Sequence, residues 1–242
     1  MSNFQEFVAQ QVEAYSNFRK LANDAQIKGV EPDPNLEKKM GGFFIVLEHP
    51  LAIRKAAEDF SKKISSLIPA IVYNEDVVHT SLGSYFYVPG LVVNPDDPVH
   101  REILDRMSEA VQRALNRFGA NLWYIEYYTF LHTLNVAIAG GSPSVPGFLD
   151  LIEEVVSACK EQKIELKPAW GAHITLSRFK GKVPAHNLTT FFDLFENAEP
   201  LGRSVPTAVK VGYALWKPNS FHPDVMPEDL CGHFTTYKRF EF

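Results

Sequence analysis

The chain has 242 residues, of which 45% are apolar and 12% aromatic, which is enough to bury a sizeable core and excludes an intrinsically disordered protein. Its formal net charge of -5 argues against binding of long nucleic acid by a broad basic surface, because that mode needs clustered Lys and Arg. A short phosphate-bearing ligand in a local pocket is compatible with this charge.

The cysteines and the apolar runs indicate the compartment. Cys159 and Cys231 are far apart and form no C-x-x-C motif, so the sequence favours neither a zinc cluster nor a disulfide framework. Residues 1–18 lack the apolar core of a signal peptide. No apolar run reaches the roughly 20 residues of a membrane span. We therefore expect a cytoplasmic protein with no membrane partner.

The chain opens with a helical pattern. Apolar residues recur at three- and four-residue steps from Phe4 to Leu21, which predicts an amphipathic helix. Pro32 and Pro34 then end any helix. We interpret residues 1–40 as an accessory helix with a linker, and residues 41–242 as one bilobal domain.

Residues 41–242 alternate between strand and helix patterns. Strands are predicted at 43–48, 77–87, 172–179, 205–216 and 234–242, with a β-rich stretch at 123–139 and a turn at 140–143. Helices are predicted at 52–67, 98–118, 147–162 and 187–195. The order strand, helix, strand occurs twice, and each occurrence ends in a similar histidine motif. This approximate repeat predicts two lobes of similar topology that face each other across a cleft.

The two motifs are His79-Thr80-Ser81-Leu82 and His173-Ile174-Thr175-Leu176. Eight histidines and 23 Ser or Thr residues predict about 0.8 His-x-Ser/Thr matches by chance, and requiring Val, Ile or Leu next lowers this number to about 0.2. Two such matches occur, so the pair is informative. Because side chains alternate along a strand, each motif presents its histidine and its hydroxyl on one face.

This combination of groups suits proton transfer at phosphorus. Of His79 and His173, one imidazole can take a proton from the attacking oxygen while the other gives a proton to the leaving oxygen. Ser81 and Thr175 can donate hydrogen bonds to the non-bridging phosphate oxygens, and this help needs no metal ion. The sequence contains no recognisable metal-ligand spacing and no glycine-rich phosphate loop.

Two His-x-Ser/Thr motifs, each followed by an apolar residue, resemble the 2H phosphoesterase superfamily. Residues 42–180 are similar to its 2′,5′ RNA ligase and cyclic phosphodiesterase branch. The resemblance implies a bilobal, pseudo-symmetric α+β fold in which antiparallel sheets line a central cleft and helices lie outside. It also implies that no cofactor is needed and that the substrate has a 2′,3′-cyclic, 2′-5′ linked or cyclic oligonucleotide phosphodiester. Ser81 stands where the family more often has Thr, which preserves the hydroxyl.

Four aromatic residues are candidates for contact with a nucleotide base. Tyr85 and Tyr87 lie an even number of residues after the histidine of the first motif, so strand alternation predicts that they share its face. Either can then stack on a base where the strand leaves the cleft, although simple packing is the alternative. Tyr213 and Trp216 lie on a late strand that the resemblance places near the cleft. Arg178 has the opposite parity to the second motif, so a phosphate contact from Arg178 requires a bulge or a strand end.

Three functions are open at this point. The first is a metal-independent phosphodiesterase that acts on a nucleotide or an RNA end. The second is a binding module that recognises an RNA end or a cyclic nucleotide without turnover, and two intact motifs disfavour it. The third is a metal-dependent hydrolase with the histidines as ligands, which the lack of a third ligand at suitable spacing disfavours.

Overall fold

The computed structural model describes residues 3–119, 123–143, 146–218 and 230–242, with the backbone alone at 143, 215–218 and 230–233. The α-helices in these ranges are Asn3–Lys28 (α1), Pro34–Glu37 (α2), Leu51–Leu67 (α3), Pro98–Phe118 (α4), Gly147–Glu161 (α5) and Thr189–Glu196 (α6), with a 3-10 helix at Ala185–Asn187. The strands are Met40–Glu48 (β1), Thr80–Pro89 (β2), Ile125–His132 (β3), Val136–Pro143 (β4), Lys167–Pro168 (β5), His173–Arg178 (β6), Gly202–Ser204 (β7), Ala208–Pro218 (β8) and Leu230–Glu241 (β9).

The strands form one antiparallel sheet in the order β7-β3-β4-β6-β2-β1-β8-β9, with β5 paired to β2. Each half of this sheet begins at the centre with a motif strand, β2 or β6. The next strand outward precedes the motif strand in sequence: β1 leads to β2 through α3, and β4 leads to β6 through α5 and the short β5. The α+β class, the antiparallel sheet and the repeated strand-helix-strand unit expected from the sequence are confirmed.

The motif strands pair at one position, Thr80 of β2 opposite Ile174 of β6, and the short β5 also pairs with β2. The side chain of Thr80 is buried, and its hydroxyl donates a hydrogen bond to the carbonyl oxygen of His173 at 3.1 Å. The hydroxyl oxygen of Thr80 also lies 2.5 Å from the hydroxyl of Tyr127 and 3.1 Å from Nε2 of His49. Three side chains and one backbone carbonyl therefore converge where the motif strands touch.

This buried cluster draws on both halves of the sheet. His49 follows β1, whereas Tyr127 lies on β3 and Ser204 on β7, and Nδ1 of His49 is 2.8 Å from the hydroxyl oxygen of Ser204. Burial lowers the pKa of His49 to about 3, with smaller contributions from His79 and Arg54, so its imidazole is neutral at pH 7. Both ring nitrogens are hydrogen-bonded, as a buried polar side chain requires.

Local sequence signals locate α4 at the bounds predicted for it. A carboxylate oxygen of Asp97 accepts the backbone N–H groups of Val99 and His100, and Pro98 occupies the first turn. The helix ends at Gly119, whose φ of 72° is a conformation that glycine adopts without strain. Because capping residues mark both ends of α4, the sequence predicts where the helix begins and ends.

The helices α3, α4 and α5 cover the face of the sheet opposite the histidines. α3 packs on β6 and α5 contacts β2, so each connecting helix covers the motif strand of the other half, while α4 packs on α5. The apolar partners in the motifs, Leu82, Ile174 and Leu176, are buried in this core, as their parity predicts. No helix in the described ranges is both long and apolar enough to cross a membrane.

The opening helix is longer than its sequence pattern indicates and is packed against the sheet. α1 contacts β3 and the 3-10 helix, and the ring of Phe7 lies 5.9 Å from that of Phe148 on α5. Its buried side chains include two polar ones, Gln11 and Tyr15. The division of the chain at residue 40 stays a prediction.

The turn predicted at 140–143 is wrong, because these residues form the end of β4. Gly140 pairs with Thr129 on one side and with His173 on the other. A Cβ atom at Gly140 would lie 2.9 Å from the side chain of Thr129 and 3.1 Å from the ring of Tyr15. Glycine therefore allows close approach of neighbours in the sheet here and does not reverse the chain.

We expect Thr80→Val to destabilise the fold by about 1–3 kcal/mol, because it keeps the shape of the side chain but leaves buried partners of the hydroxyl unpaired. Urea unfolding measures the change. Thr207→Val is the matched control, since Thr207 is exposed and its hydroxyl makes only a 3.5 Å contact with the carbonyl of Glu48. Equal midpoints for the two variants would show that the hydroxyl cluster does not stabilise the joint.

Candidate active site

His79 lies immediately before β2, in a cleft of about 500 Å³ between the two halves of the sheet. Its Nδ1 is 2.6 Å from the carbonyl oxygen of Val77, an acceptor, so the proton of the neutral ring resides on Nδ1. Nε2 is then left to exchange a proton with a ligand. The ring of Phe234, on β9, lies 5.0 Å from the imidazole and limits its rotation.

His173 begins β6 and lines the same cleft. Its Nδ1 is 3.2 Å from the carbonyl oxygen of Gly171, which assigns the same tautomer as in the first motif. The indole of Trp170 stacks on the imidazole with 4.3 Å between the ring centroids and 16° between the planes. Each histidine is thus held by a carbonyl two residues before it and by one aromatic ring.

Both imidazoles are neutral at pH 7. Burial lowers the pKa of His79 to about 4, and the charge of Lys210 adds to this shift. Burial likewise lowers the pKa of His173 to about 4, with further contributions from His79 and Arg178. Both rings line the same cleft. Protonation of either ring needs a compensating negative charge in the cleft.

The motif hydroxyls accompany the histidines. Ser81 and Thr175 are partly exposed and line the cleft. Neither side chain makes a hydrogen bond within the described ranges of the chain. Their positions beside His79 and His173 follow from the strand parity expected from the sequence.

A bulge follows each motif and changes the parity of the strand beyond it. In β2, Ser81 pairs with Val46 and Gly83 with Ile45, so Leu82 has no partner. In β6, the pairing with β4 likewise passes over Leu176. A bulge turns later side chains to the other face of the sheet. The two copies of the repeat therefore share this irregularity as well as the motif.

Because of the second bulge, Arg178 lines the cleft. Its partly exposed guanidinium forms an ion pair with the buried carboxylate of Asp33, from the segment between α1 and α2. Tyr73 hydrogen-bonds to Arg178, and the ring of Tyr87 lies close enough for the guanidinium charge to affect its pKa. Burial raises the pKa of both phenols. The bulge that a phosphate contact from Arg178 requires is thus present.

The four aromatic candidates are placed differently. Tyr85 and Tyr87 line the cleft, where Tyr85 also packs on Phe43 at 6.3 Å between ring centroids. Tyr213 is buried in the core and does not line the cleft, so its position lends no support to contact with a base. The backbone of Trp216 belongs to β8, but its side chain lies outside the described residues.

Several cleft residues carry no signal in the sequence. Phe234 lies 155 positions beyond His79 in the chain, so nothing local indicates that their rings touch. Tyr73 precedes the first motif in an irregular segment, and only the fold brings it to Arg178. Trp170 precedes its motif by three residues, but strand parity does not extend to a residue outside the strand.

Within the described ranges, no group of three His, Cys, Asp or Glu side chains is placed to hold a metal ion. Both histidines use Nδ1 for a backbone carbonyl, which leaves one nitrogen each. Two imidazoles and two hydroxyls can bind an anion and move protons.

No family model matches the chain, and no curated protein matches its sequence. The apo crystal structure of E. coli LigT matches with a TM-score of 0.52 and 13% identity, over 84% of this chain and 98% of that chain. TT0787 of Thermus thermophilus matches with a TM-score of 0.49 and 16% identity, over 83% and 97%. E. coli LigT complexed with 3′-AMP matches with a TM-score of 0.48 and 14% identity, over 84% and 98%.

The match to apo LigT shows that this chain has the LigT fold. The α+β fold expected from the resemblance is thereby confirmed.

The neutral histidines predict a pH-dependent affinity for anions. Sulfate keeps its charge between about pH 5 and pH 8, whereas an imidazole beside bound sulfate gains a proton more readily than in the empty cleft. Because the pKa is about 4 without ligand and higher with it, sulfate affinity should rise about 10–100-fold as pH falls across this range. Calorimetry in buffers of different ionisation enthalpy measures the affinity and the proton uptake.

The His79→Gln, His173→Gln double variant is the control for this measurement. It keeps polar side chains of similar length but removes both titrating rings, so its sulfate affinity should not vary with pH. A wild-type affinity that is constant from about pH 8 to pH 5 would contradict the coupling.

Proposed function

We propose that this protein is a phosphodiesterase that opens a phosphodiester on a nucleotide or an RNA end by acid–base catalysis between His79 and His173, without a metal ion. The observation that carries this proposal is the pair of partly buried imidazoles, each with Nδ1 held by a carbonyl and Nε2 left for proton exchange, in one cleft. The LigT fold supports the proposal but does not name a substrate.

The reaction assigns complementary protonation states to the two rings. One neutral Nε2 takes a proton from the attacking water as its oxygen bonds to phosphorus, and the other imidazole, protonated, gives its proton to the oxygen that leaves. A bound phosphodiester supplies the negative charge that favours this protonated ring. The position of the leaving oxygen decides which histidine is the acid.

Ser81 and Thr175 are proposed to hold the phosphate between the rings. Their hydroxyls can donate to the two non-bridging oxygens, where negative charge builds up in the transition state. Each hydroxyl stands next to its histidine on the same strand face, so the phosphate is approached symmetrically from both motifs. Arg178, which lines the cleft and is ion-paired with Asp33, is proposed as a further cation for the same phosphate or for a second one.

The cleft favours a small nucleotide over a long polymer. Its volume of about 500 Å³ falls within the range of small-molecule pockets. Aromatic rings on its walls, including Tyr87 and Trp170, offer surfaces on which a base can stack. The net charge of -5 agrees with local recognition of phosphate rather than with a long basic track. We propose a 2′,3′-cyclic, 2′-5′ linked or cyclic oligonucleotide phosphodiester as substrate.

A binding module on the same fold is the alternative function. Such a module would recognise an RNA end or a cyclic nucleotide without turnover. The two functions differ in what they require of the imidazoles, because binding needs only hydrogen bonds whereas catalysis needs both proton transfers.

We expect His79→Ala and His173→Ala each to lower kcat about 10²–10⁴-fold while substrate binding changes far less, because each removes one proton transfer. Turnover is measured with chelator present on 2′,3′-cyclic nucleotides, 2′-5′ and 3′-5′ linked oligoadenylates and cyclic dinucleotides. His186→Ala is the control, since His186 is exposed and does not line the cleft.

The outcomes of this panel separate the hypotheses. Turnover that resists chelator and disappears in both motif variants supports the two-histidine mechanism and identifies the substrate class. Activity lost in chelator would indicate a metal-dependent hydrolase. Tight binding of a panel member with no turnover by the wild type would establish the binding module.

Thr175→Val should lower kcat about 10²–10³-fold, because it removes a hydrogen-bond donor to the charge that develops on phosphate. Thr175→Ser keeps the donor and should retain most of the activity. Steady-state kinetics on the substrate found in the panel gives kcat and KM for each variant. If valine and serine reduce kcat equally, the hydroxyl is not the group that matters.

A further inference from the structure

α1 contacts the strand pair that carries the second motif. Gln11 and Tyr15, which are 2% and 1% exposed, lie one turn apart on the face of the helix turned to the sheet. They meet the backbone at Gly141 of β4 and at Ala172, the residue immediately before His173. The helix therefore touches the chain at the point where the candidate catalytic strand begins.

The side chain of Gln11 bridges the two backbones. Its amide nitrogen donates to the carbonyl of Gly141 at 2.9 Å, and its amide oxygen accepts the N–H of Ala172 at 2.7 Å. A Cβ atom at Gly171 would lie 2.9 Å from Gln11, so the absence of a side chain there allows this approach. The backbone N–H of Gly141 donates to the carbonyl of Ala172 at 2.8 Å, and Gln11 adds two further hydrogen bonds to the same two residues.

The hydroxyl of Tyr15 lies at the same junction. It is 2.7 Å from the carbonyl of Ala172 and accepts the N–H of Gly141 at 3.0 Å. Two polar side chains one turn apart on α1 therefore hydrogen-bond to the backbone immediately before His173 and restrict its movement. Backbone groups bonded in this way inside the protein are costly to displace.

The same helix also supports the aromatic ring that stacks on His173. The ring of Phe18 lies parallel to the indole of Trp170 at 6.0 Å and 27°, and the ring of Tyr15 meets it edge-on at 5.8 Å. Trp170 is 39% exposed and stacks on His173 at 4.3 Å. The imidazole is thus held in place by a ring that α1 holds in turn.

We propose that Gln11, Tyr15 and Phe18 of α1 are positioning residues for His173, setting its backbone through Ala172 and its ring through Trp170. The inference rests on the proposed function for its consequence in catalysis, but the geometry it describes is independent of turnover. The second motif is held in this way by a helix outside the strand-helix-strand repeat, whereas the first motif meets Phe234 of the sheet itself.

Phe18→Ala tests the proposal, with Phe7→Ala as the matched control. Both residues belong to α1, but Phe7 packs on Phe148 and does not touch Trp170. Each truncation removes one ring from the contacts of the helix. A purely structural role for α1 predicts similar effects of the two variants on the site, whereas a positioning role predicts that only Phe18→Ala changes His173.

The first readout is the titration of the His173 imidazole by NMR in the full chain, assigned from the signal that His173→Gln removes. His79 and Arg178 are the groups whose charges act on His173, and neither is altered. Loss of the Phe18 ring frees Trp170 and lets water reach the imidazole, so its pKa should rise from about 4 by roughly one unit. Phe7→Ala should leave the His173 titration unchanged.

The second readout is kinetic and uses the substrate found in the panel. Phe18→Ala should lower kcat about 10–100-fold with KM changed less than about threefold, because a displaced group loses the geometry of proton transfer. Phe18→Tyr keeps a ring against Trp170 and should restore kcat. Tyr15→Phe, which keeps the ring and removes the hydroxyl, tests the backbone contact separately.

Identical His173 titrations in Phe18→Ala and Phe7→Ala would overturn the proposal, whether or not a substrate is known. A shifted titration in Phe18→Ala, with no turnover of any substrate by the wild type, would leave the positioning role intact and count against the proposed phosphodiesterase instead.

Discussion

The geometry of the cleft depends on the hydrogen bond from the Thr80 hydroxyl to the carbonyl of His173. The motif strands share a single residue pair, and the short β5 adds two pairs with β2 beyond it, so this hydrogen bond is the side-chain contact that acts at the motifs themselves. A side chain of one motif holding the backbone of the other ties them together directly. His49 and Tyr127 contact this hydroxyl from opposite halves of the sheet, so both halves stabilise the contact between the motif strands. Burial keeps His49 neutral, which allows it to stay paired without bringing a charge into the core.

Burial of His79 and His173 has a chemical consequence for the order of events. With each pKa near 4, the empty cleft at pH 7 holds two bases and no acid. A general acid arises only when an anion enters and offsets the cost of a buried positive charge. The proposed catalytic state is therefore formed by the substrate itself, and a neutral ligand of the same shape would not produce it. In both motifs, the hydrogen bond from Nδ1 to a backbone carbonyl holds the ring in its orientation before a ligand binds.

Sequence patterns predicted the motifs, the repeated unit and most element bounds, because each of these is encoded within a short stretch. Strand parity placed Ser81 and Thr175 beside the histidines correctly, but it fails beyond each motif, where a bulge shifts the face. Arg178 reaches the cleft for this reason. Phe234 could not be found, since its contact with His79 joins distant parts of the chain. The sequence places Gly140 in a turn because glycine is common both where the chain reverses and where backbones pack closely. Only the residues that contact Gly140 in the fold distinguish these two cases.

The buried face of α1 was also beyond sequence reasoning. Periodicity identifies a helix by its apolar stripe and indicates an accessory role for this one. The face that is buried in the structure nevertheless contains Gln11 and Tyr15. An apolar contact tolerates sliding, because the hydrophobic effect has no direction. Buried amide and hydroxyl groups tolerate far less, since each must keep a particular backbone partner or lose its hydrogen bond. A helix that only covered the sheet would have no need of such groups. Their presence beside Ala172 gives α1 one fixed position, and through that position gives one to His173.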